Sequence, residues 1–245
     1  MRAKEHYDNH LASFYAWMAG DFDTAKLAFE NWLKQKQISP KSTRAAIDLG
    51  SGHGIQTAAL ATLGFQVSAI DFSKHLLDEL CTNCTNHRIA IHIDDIRNVA
   101  NYKHLKPELI ICWGDTLTHL ETKQDAEQLL KASFEVLEGG GLLLLSFRNY
   151  SEALAGNERF IPVKSDESRI LTCVLEYEDE YVTVTDLLHQ KQEGKWQQYV
   201  SSYKTLRLDV QNILHLLTSM GMQIITHEQF NRMETIIALK STSAI

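Results

Sequence analysis

Three glycines at alternate positions, Gly50, Gly52 and Gly54, follow a short apolar run that ends near Asp48. An apolar run with such a break after it is typical of a buried strand that leads into a tight turn and then a helix. Glycine adopts positive φ readily and lets a ligand approach the main chain without a Cβ in the way. The spacing therefore predicts a nucleotide-type cofactor site at Gly50, Ser51, Gly52 and Gly54.

The acid before this loop separates the candidate cofactors. The dinucleotide fingerprint G-x-G-x-x-G requires glycine at position 55, where the chain has Ile55, and no G-x-x-x-x-G-K-[ST] loop occurs. A pyrophosphate favours a helix N-terminus without acids nearby, so Asp48 would repel it. S-adenosylmethionine (SAM) carries a sulfonium and an ammonium and no phosphate. We therefore predict that Asp48 and the loop bind SAM, with S-adenosylhomocysteine (SAH) as the product.

A second acid stands where the next predicted strand ends. Asp71 follows the apolar run at 65–70 and lies 21 positions after Gly50. An acid about 20 residues beyond a glycine loop accepts hydrogen bonds from ribose hydroxyls. An isolated acid before Ser73 would instead indicate a helix cap. The loop at the matching distance favours the ribose role for Asp71.

Strands and helices alternate across the first two thirds of the chain. The pattern predicts strands at 45–49, 66–70, 88–93, 109–113 and 142–147, with helices at about 54–63, 73–84 and 123–137. This alternation implies a parallel sheet with right-handed crossovers, and ligands bind such sheets at the carboxyl ends of the strands. Four predicted strand ends carry acids: Asp48, Asp71, Asp94-Asp95 and the Trp113-Gly114-Asp115 segment.

The segments D-L-G-S-G-H-G (48–54) and A-I-D-F-S (69–73) resemble motif I and its successor in class I SAM-dependent methyltransferases. The resemblance covers nearly the whole chain. It implies an α/β, Rossmann-like fold whose seven-stranded, mostly parallel sheet has the order 3-2-1-4-5-7-6, with strand seven antiparallel. It also implies methyl transfer from SAM.

We predict a single domain over 1–245, with a helical cap at 1–40, a SAM-binding core at 41–167, an antiparallel insertion at 168–207 and a closing helix and strand pair at 208–245. The sequence leaves open whether the insertion covers the site or contacts another subunit. A net charge of −7 argues against a general nucleic-acid binder. The absence of a long apolar run and the polar N-terminus predict a cytoplasmic protein without membrane spans. Cys81-x-x-Cys84 lacks the second ligand pair of a structural zinc site, so no metal is predicted.

The resemblance also implies roles at the ends of strands three and four. At the end of strand three, an acid accepts a hydrogen bond from the exocyclic amine of adenine, and the next apolar residue covers the ring. Asp95 and Ile96 match these two positions by pattern, and Asp94 is the alternative acid, one position earlier. The alternative without a cofactor role is that the two acids cap a helix. Phe72 is a candidate for stacking on adenine and equally a candidate for the core.

After strand four, the resemblance implies that the main-chain carbonyl at Trp113-Gly114 binds the methionine ammonium. Gly114 would let the ligand approach the backbone. Plain core packing is the alternative for Trp113.

Three further segments resemble the glycine N-methyltransferase type of this family: I-I-C-W-G-D-T-L-T-H-L (110–120), S-F-R-N-Y (146–150) and V-K-S-D (163–166). In that type the arginine of R-N-Y binds the substrate carboxylate, and Arg148 matches it; a surface ion pair is the ordinary alternative. Asp115 stands where that type has Asn. Its charge favours a cationic amine but opposes loss of the amine's proton, which weighs against glycine itself. The alternative role for the Asp115 carboxylate is that of a general base that acts on a hydroxyl acceptor.

The N-terminal segments 5–8 and 17–21 resemble the part of that type that closes over the site. Tyr7 is the candidate hydroxyl donor, with Tyr15 and Trp17 as alternatives. His119 is a candidate to assist Asp115 in the reaction. The alternative is that it is an ordinary histidine at the start of a helix.

These residues predict in-line methyl transfer to a small-molecule acceptor, an amine first, such as a glycine-like, sarcosine-like or other amino compound. A hydroxyl or macromolecular acceptor and a non-catalytic SAM-binding subunit are the alternatives, and a homo-oligomer is left open.

Overall fold

The computed structural model describes residues 12–85 and 89–242, which form two β-sheets with helices around the larger one. The strands are β1 Ala45–Leu49, β2 Gln66–Asp71, β3 Ile89–Ile93, β4 Leu109–Cys112, β5 Leu142–Phe147, β6 Phe160–Ser165, β7 Arg169–Tyr177, β8 Tyr181–Gln192, β9 Lys195–Leu206, β10 Met222–Phe230 and β11 Met233–Lys240. The α-helices are α1 Ala12–Ala19, α2 Phe22–Gln35, α3 Ile55–Thr62, α4 Lys74–Asn83, α5 Lys123–Val136 and α6 Val210–Ser219. Short 3-10 segments occur at Ile96–Leu105, Thr116–His119 and Gly156–Arg159.

The larger sheet has seven strands in the order β3-β2-β1-β4-β5-β11-β10. The five strands from β3 to β5 are parallel, whereas β11 is antiparallel to both β5 and β10. The predicted Rossmann-like methyltransferase fold is confirmed. The closing pair are the tenth and eleventh strands of the chain, because the insertion precedes them.

The core lies on both faces of this sheet, as a parallel sheet requires. Ile110 of β4 belongs to the cluster that α5 and α6 cover, whereas the next residue, Ile111, belongs to the cluster on the side of α2 and α3. Both side chains are fully buried. Successive side chains of a strand point to opposite faces, so each apolar run supplies both layers.

Helix α2 shows how local sequence sets these elements. Asp21 caps its first turn by accepting from the Thr24 amide at 2.8 Å. Phe29, Trp32 and Leu33 then share one buried face, at the spacing of an amphipathic helix. None of the helices in the described ranges has the length and apolar content that crossing a membrane requires.

The insertion forms the second sheet, in the antiparallel order β6-β7-β8-β9. The predicted insertion at 168–207 missed β6, which begins at Phe160. Pro162 lies in this strand, and the pairing register shifts between Pro162 and Lys164. A proline is tolerated in an edge strand, but together with the shift it breaks the alternation from which strands are recognised.

Candidate functional site

The glycine loop joins β1 to α3 with backbone angles that only glycine adopts easily. Gly50, Gly52 and Gly54 have φ of 74°, 53° and 100°. The amides of Gly50 and Ser51 both donate to the carbonyl of Ile70, at 2.8 and 3.1 Å, so the turn is fastened to the end of β2. A Cβ on Gly50 would lie 2.3 Å from Cγ2 of Thr116. The loop therefore lies against the segment after β4 without room for a side chain at this glycine.

Asp71 links the loop to the end of β2 with both of its carboxylate oxygens. Oδ2 accepts from the Gly52 amide at 2.9 Å, and Oδ1 accepts from the Ser73 amide at 2.8 Å. The cap of α4 is Ser73 itself, whose hydroxyl accepts from the Leu76 amide. Asp71 thus closes the loop and borders the same open space as the glycines.

That space is a cavity of about 880 Å³ at the carboxyl ends of β1, β2, β3 and β4, a volume typical of small-molecule sites. Eleven of the predicted site residues line it: Gly50, Ser51, Gly52, Asp71, Phe72, Asp94, Asp95, Ile96, Trp113, Gly114 and His119. Asp48, Gly54, Asp115 and Arg148 do not line it. Tyr7 lies outside the described residues.

The acids after β3 differ in how fully their oxygens are engaged. Both oxygens of Asp95 accept from the Arg97 side chain, at 3.1, 3.0 and 2.6 Å. Asp94 Oδ1 accepts from Asn98 and from the Asp95 amide, but Oδ2 accepts only from the Tyr102 hydroxyl, at 2.9 Å, within the described part of the chain. A carboxylate oxygen accepts two hydrogen bonds. Asp94 therefore keeps more capacity for a ligand donor.

The apolar wall near these acids includes a residue that the sequence analysis missed. Ile96 is only 8% exposed, whereas Ile93, which also lines the cavity, is 62% exposed. The residues of β3 are apolar except His92, so no alternation in the sequence marked Ile93 as the exposed one.

At the end of β4, the main chain turns through positive φ at two consecutive residues, Gly114 at 72° and Asp115 at 81°. The Trp113 carbonyl accepts from the Thr116 hydroxyl at 2.8 Å, which leaves it one further lone pair. The indole packs against Phe29 and Trp32, with both ring centroids at 4.9 Å. Trp113 thus contributes both to the cavity wall and to an aromatic cluster.

Asp115 and Arg148 form an ion pair behind the cavity. Oδ2 of Asp115 lies 3.0 Å from Nη1 of Arg148, and Oδ1 accepts from the Arg148 amide at 2.9 Å. Oδ1 also accepts from Thr118 at 2.9 Å. The Asp115 side chain is 5% exposed and that of Arg148 is 50% exposed. The pair therefore joins the ends of β4 and β5, while half of the Arg148 side chain remains exposed to solvent.

Helix α1 fastens the N-terminal part of the chain to the insertion. Trp17 Nε1 donates to Asp166 at 2.5 Å, and Lys164 Nζ donates to the Trp17 carbonyl at 2.5 Å. The segments 17–21 and 163–166, which the sequence analysis singled out separately, thus meet in the structure.

The other face of α1 reaches the glycine loop. Tyr15 lines the cavity and packs edge-on against His53, with ring centroids 5.1 Å apart. Burial, aided by the charge of Asp71, raises the pKa of Tyr15 to about 12, so its hydroxyl stays a donor. His53 also borders the cavity, and burial lowers its pKa, which favours the neutral ring near pH 7. Tyr15 was predicted only as an alternative to Tyr7, and His53 was not predicted.

Known proteins resemble this chain in sequence and in fold. Residues 46–141 match the family described as "Methyltransferase domain". Over this segment and in its fold, the chain is similar to class I SAM-dependent methyltransferases. Glycine/sarcosine N-methyltransferase from Aphanothece halophytica is 25% identical over 154 residues, 61% of this chain and 58% of that protein.

A protein of the same description from Parasynechococcus marenigrum is 30% identical over 121 residues, 49% of this chain and 43% of its own length. The chain thus spans about half the length of the curated relatives it matches. A solved S-adenosylmethionine-dependent methyltransferase from Clostridium acetobutylicum superposes with a TM-score of 0.71 at 17% identity, over 97% of each chain, which shows a shared fold.

Asp48 lies under the loop, facing the interior. It is 1% exposed and accepts from the Thr57 hydroxyl of α3 at 2.6 Å. Burial raises its pKa from the usual 3.8 to about 7, against the hydrogen bond from Thr57, and the nearby charge of Asp71 adds to the rise. Gly54, also absent from the cavity wall, packs against Leu80 instead. Asp48 and Gly54 therefore shape the loop from behind.

We expect Asp48→Asn to alter how stability depends on pH. The folded protein keeps Asp48 protonated up to about pH 7, whereas the unfolded chain releases this proton near 3.8. Ionisation of Asp48 therefore lowers the free energy of unfolding of the wild-type protein as pH rises between these values. The variant should be more stable than wild type at pH 8 by up to about 4 kcal/mol, with the difference vanishing below pH 4. Urea unfolding without ligand measures this, and a difference independent of pH would contradict it.

Proposed function

We propose that this chain binds SAM in the cavity and transfers its methyl group to the nitrogen of a small-molecule amine. The observation that carries the proposal is the arrangement of the glycine loop and Asp71 around one open space at the ends of β1 and β2. The sequence resemblance to glycine/sarcosine N-methyltransferases supports an amine acceptor.

The residues present fit SAM. A Cβ at Gly50 would collide with Thr116, which also lines the cavity, so only glycine keeps the loop and this part of the cavity wall together. Ser51 borders the cavity, and its buried hydroxyl has no hydrogen-bond partner within the described ranges, which leaves a polar atom for a ligand. We assign the ribose hydroxyls to Asp71, which lines the cavity at the end of β2.

The adenine would lie between β2 and β3. We assign its exocyclic amine to Asp94 rather than Asp95, because Arg97 already engages both oxygens of Asp95. Ile93 and Phe72 would pack on the ring faces, since both line the cavity. The Trp113 carbonyl, with one lone pair to spare, would accept from the methionine ammonium.

When bound, SAM supplies an electrophilic methyl group on a positively charged sulfur. The protein then aligns the acceptor nitrogen with the C–S bond and excludes water. Such alignment lowers the activation barrier by roughly 7–11 kcal/mol. Tyr15 approaches the loop from α1, and its hydroxyl lies 3.8 Å from where a Gly52 Cβ would be. We assign Tyr15 the donor role that the sequence analysis gave first to Tyr7. His119 borders the cavity and would lie near the acceptor.

Isothermal titration with SAH and with NAD tests the cofactor assignment, because the loop should accept the first and reject the second, since Ile55 stands where the dinucleotide fingerprint requires glycine. SAH formation is then measured with glycine, sarcosine, putrescine and an amino sugar, and with alcohols of similar size. We expect micromolar SAH binding and turnover with an amine. Absence of SAH binding would refute the proposal, and SAH binding without turnover on any acceptor would favour a non-catalytic subunit.

A further inference from the structure

The insertion sheet has one face toward the body of the protein and one face away from it. Leu175 of β7 and Val182 of β8 are buried in the cluster that contains Tyr150, and Leu188 of β8 is buried with Phe14 of α1. Successive side chains of a strand point to opposite faces, so the residues between these buried ones point away from the body. We call the side of the sheet that carries them the outer face.

The centre of the outer face carries no charged side chain. The pairing register sets three consecutive rows of four residues there: Phe160, Val174, Thr185 and Ser202, then Pro162, Thr172, Leu187 and Val200, then Ser165, Ile170, His189 and Gln198. None of them is Asp, Glu, Lys or Arg, although these four types make up 22% of the chain. The hydroxyls of Thr185 and Ser202 bond to each other at 2.9 Å. These two hydroxyls therefore have a partner within the face itself.

Large apolar side chains of the outer face are open to solvent. Phe160 is 48% exposed, Ile170 41% and Val200 57%, and Trp196, one row further along β9, is 49% exposed. An antiparallel sheet with one face in water usually carries polar residues on that face. Half of the side chains in the three rows are instead apolar. A contiguous exposed apolar surface of this kind marks an interaction site.

The charges of the outer face lie at its two ends. Glu176 and Lys204 flank Thr183 beyond the first row, and Lys191 pairs with Trp196 beyond the last row. Two copies of the face can therefore meet with no like charges opposed at the centre. A strongly acidic or basic partner would find no opposite charge there, so the face fits an uncharged surface such as its own copy.

The area of the outer face is sufficient for a dimer. Residues 183–191 of β8, at about 3.4 Å each, and four strands about 4.8 Å apart give a surface of roughly 600 Å². Packing two such faces buries about 1,200 Å² in total, which is the lower limit for specific, stable interfaces. Sheets pack face to face in this way in β-sandwiches, with their side chains interdigitated.

We propose that the outer face binds the outer face of a second copy of this chain, so that two insertion sheets pack face to face in a symmetric dimer. A two-fold axis requires only one self-complementary surface, and the three uncharged rows provide it. Because the buried area is at the lower limit, we expect a dissociation constant in the micromolar range. The inference goes beyond the proposed function and does not depend on it.

Sedimentation equilibrium of the full chain tests the dimer. We expect the mass of wild type to approach twice the 27.9 kDa of one chain as its concentration rises through the micromolar range. Val200→Lys and, separately, Ile170→Lys should raise the dissociation constant at least tenfold, because each places a charge at the uncharged centre in both copies. Ile225→Lys is the matched control. Ile225 is 50% exposed on β10, outside the insertion, so this variant should dimerise as wild type does.

A wild type that stays monomeric would overturn the inference, and so would a dimer that both insertion variants leave intact or that Ile225→Lys weakens equally. Phosphatidylcholine vesicles are a second probe, since a monomeric wild type that binds them would assign the outer face to a membrane instead. Thermal unfolding shows whether each variant folds. Neither Val200 nor Ile170 lines the cavity, so both variants should keep the SAH affinity of wild type. Absent SAH binding by a dimeric wild type would refute the proposed function alone.

Discussion

Gly50→Ala is expected to abolish cofactor binding, with the dissociation constant for SAH raised at least about 100-fold, or roughly 2.7 kcal/mol. Two effects combine at this residue. The φ of 74° is strained for alanine, and the new Cβ would lie 2.3 Å from Cγ2 and 2.6 Å from Oγ1 of Thr116. No rotamer of Thr116 removes a clash that also reaches its Cβ, at 3.0 Å. The loop or the turn after β4 must therefore move, and both border the cavity.

Gly194→Ala is the matched control for this experiment. Gly194 has a similar φ of 78°, in the turn between β8 and β9, and a Cβ there would meet nothing within 4 Å. The control therefore carries the backbone strain of about 1 kcal/mol without the collision. Isothermal titration with SAH and thermal unfolding compare the two variants with wild type. Similar losses of SAH affinity in both would show that the steric argument is wrong.

Asp71→Asn is expected to weaken SAH binding about 30- to 300-fold. The change removes the charge from a carboxylate that is 7% exposed and that holds the Gly52 and Ser73 amides. An asparagine offers one oxygen and one NH₂, so one of those two amides would face a donor. Hydrogen bonds to a charged acceptor contribute about 1.5–3 kcal/mol each, and the assigned ribose contacts would weaken as well.

The control here is Asp78→Asn, an equal change of charge on α4. The Asp78 side chain is 62% exposed and pairs with Lys74 on the helix surface, away from the cavity lining. Titration with SAH and with adenine separates the contributions, because adenine lacks the ribose. If Asp71→Asn lost affinity for adenine as strongly as for SAH, the ribose assignment would fail and loop disorder would explain the loss.

The arrangement of the glycine loop and Asp71 around one cavity was predictable because these residues are close together in the chain. Gly50, Gly52 and Asp71 all lie on one β-loop-α-β unit, and the lengths of one helix and one strand set the distance between the loop and the acid. The acids that follow β3 and β4 were predictable from the same alternation of strands and helices. The described structure brings these residues to one cavity, as the spacing predicted.

The direction in which Asp48 points was not predictable from spacing. Asp48 belongs to β1 and lies opposite Ala69 of β2 and Ile111 of β4. A central parallel strand is buried on both faces, so the sequence pattern does not say which of them a given side chain meets. Packing of α3 against this strand turned the carboxyl toward Thr57.

The sequence by itself determined the order of elements, the glycine bend and the acid that closes it, since short-range spacing and backbone sterics dictate them. Only the tertiary structure decided the acceptor side. Asp115 and Arg148 meet across 33 positions, and Trp17 and Asp166 across 149. The insertion packs on Tyr150, which follows β5, and on Phe14 of α1. Contacts of that kind depend on how whole sheets pack, and no local pattern of residues encodes them.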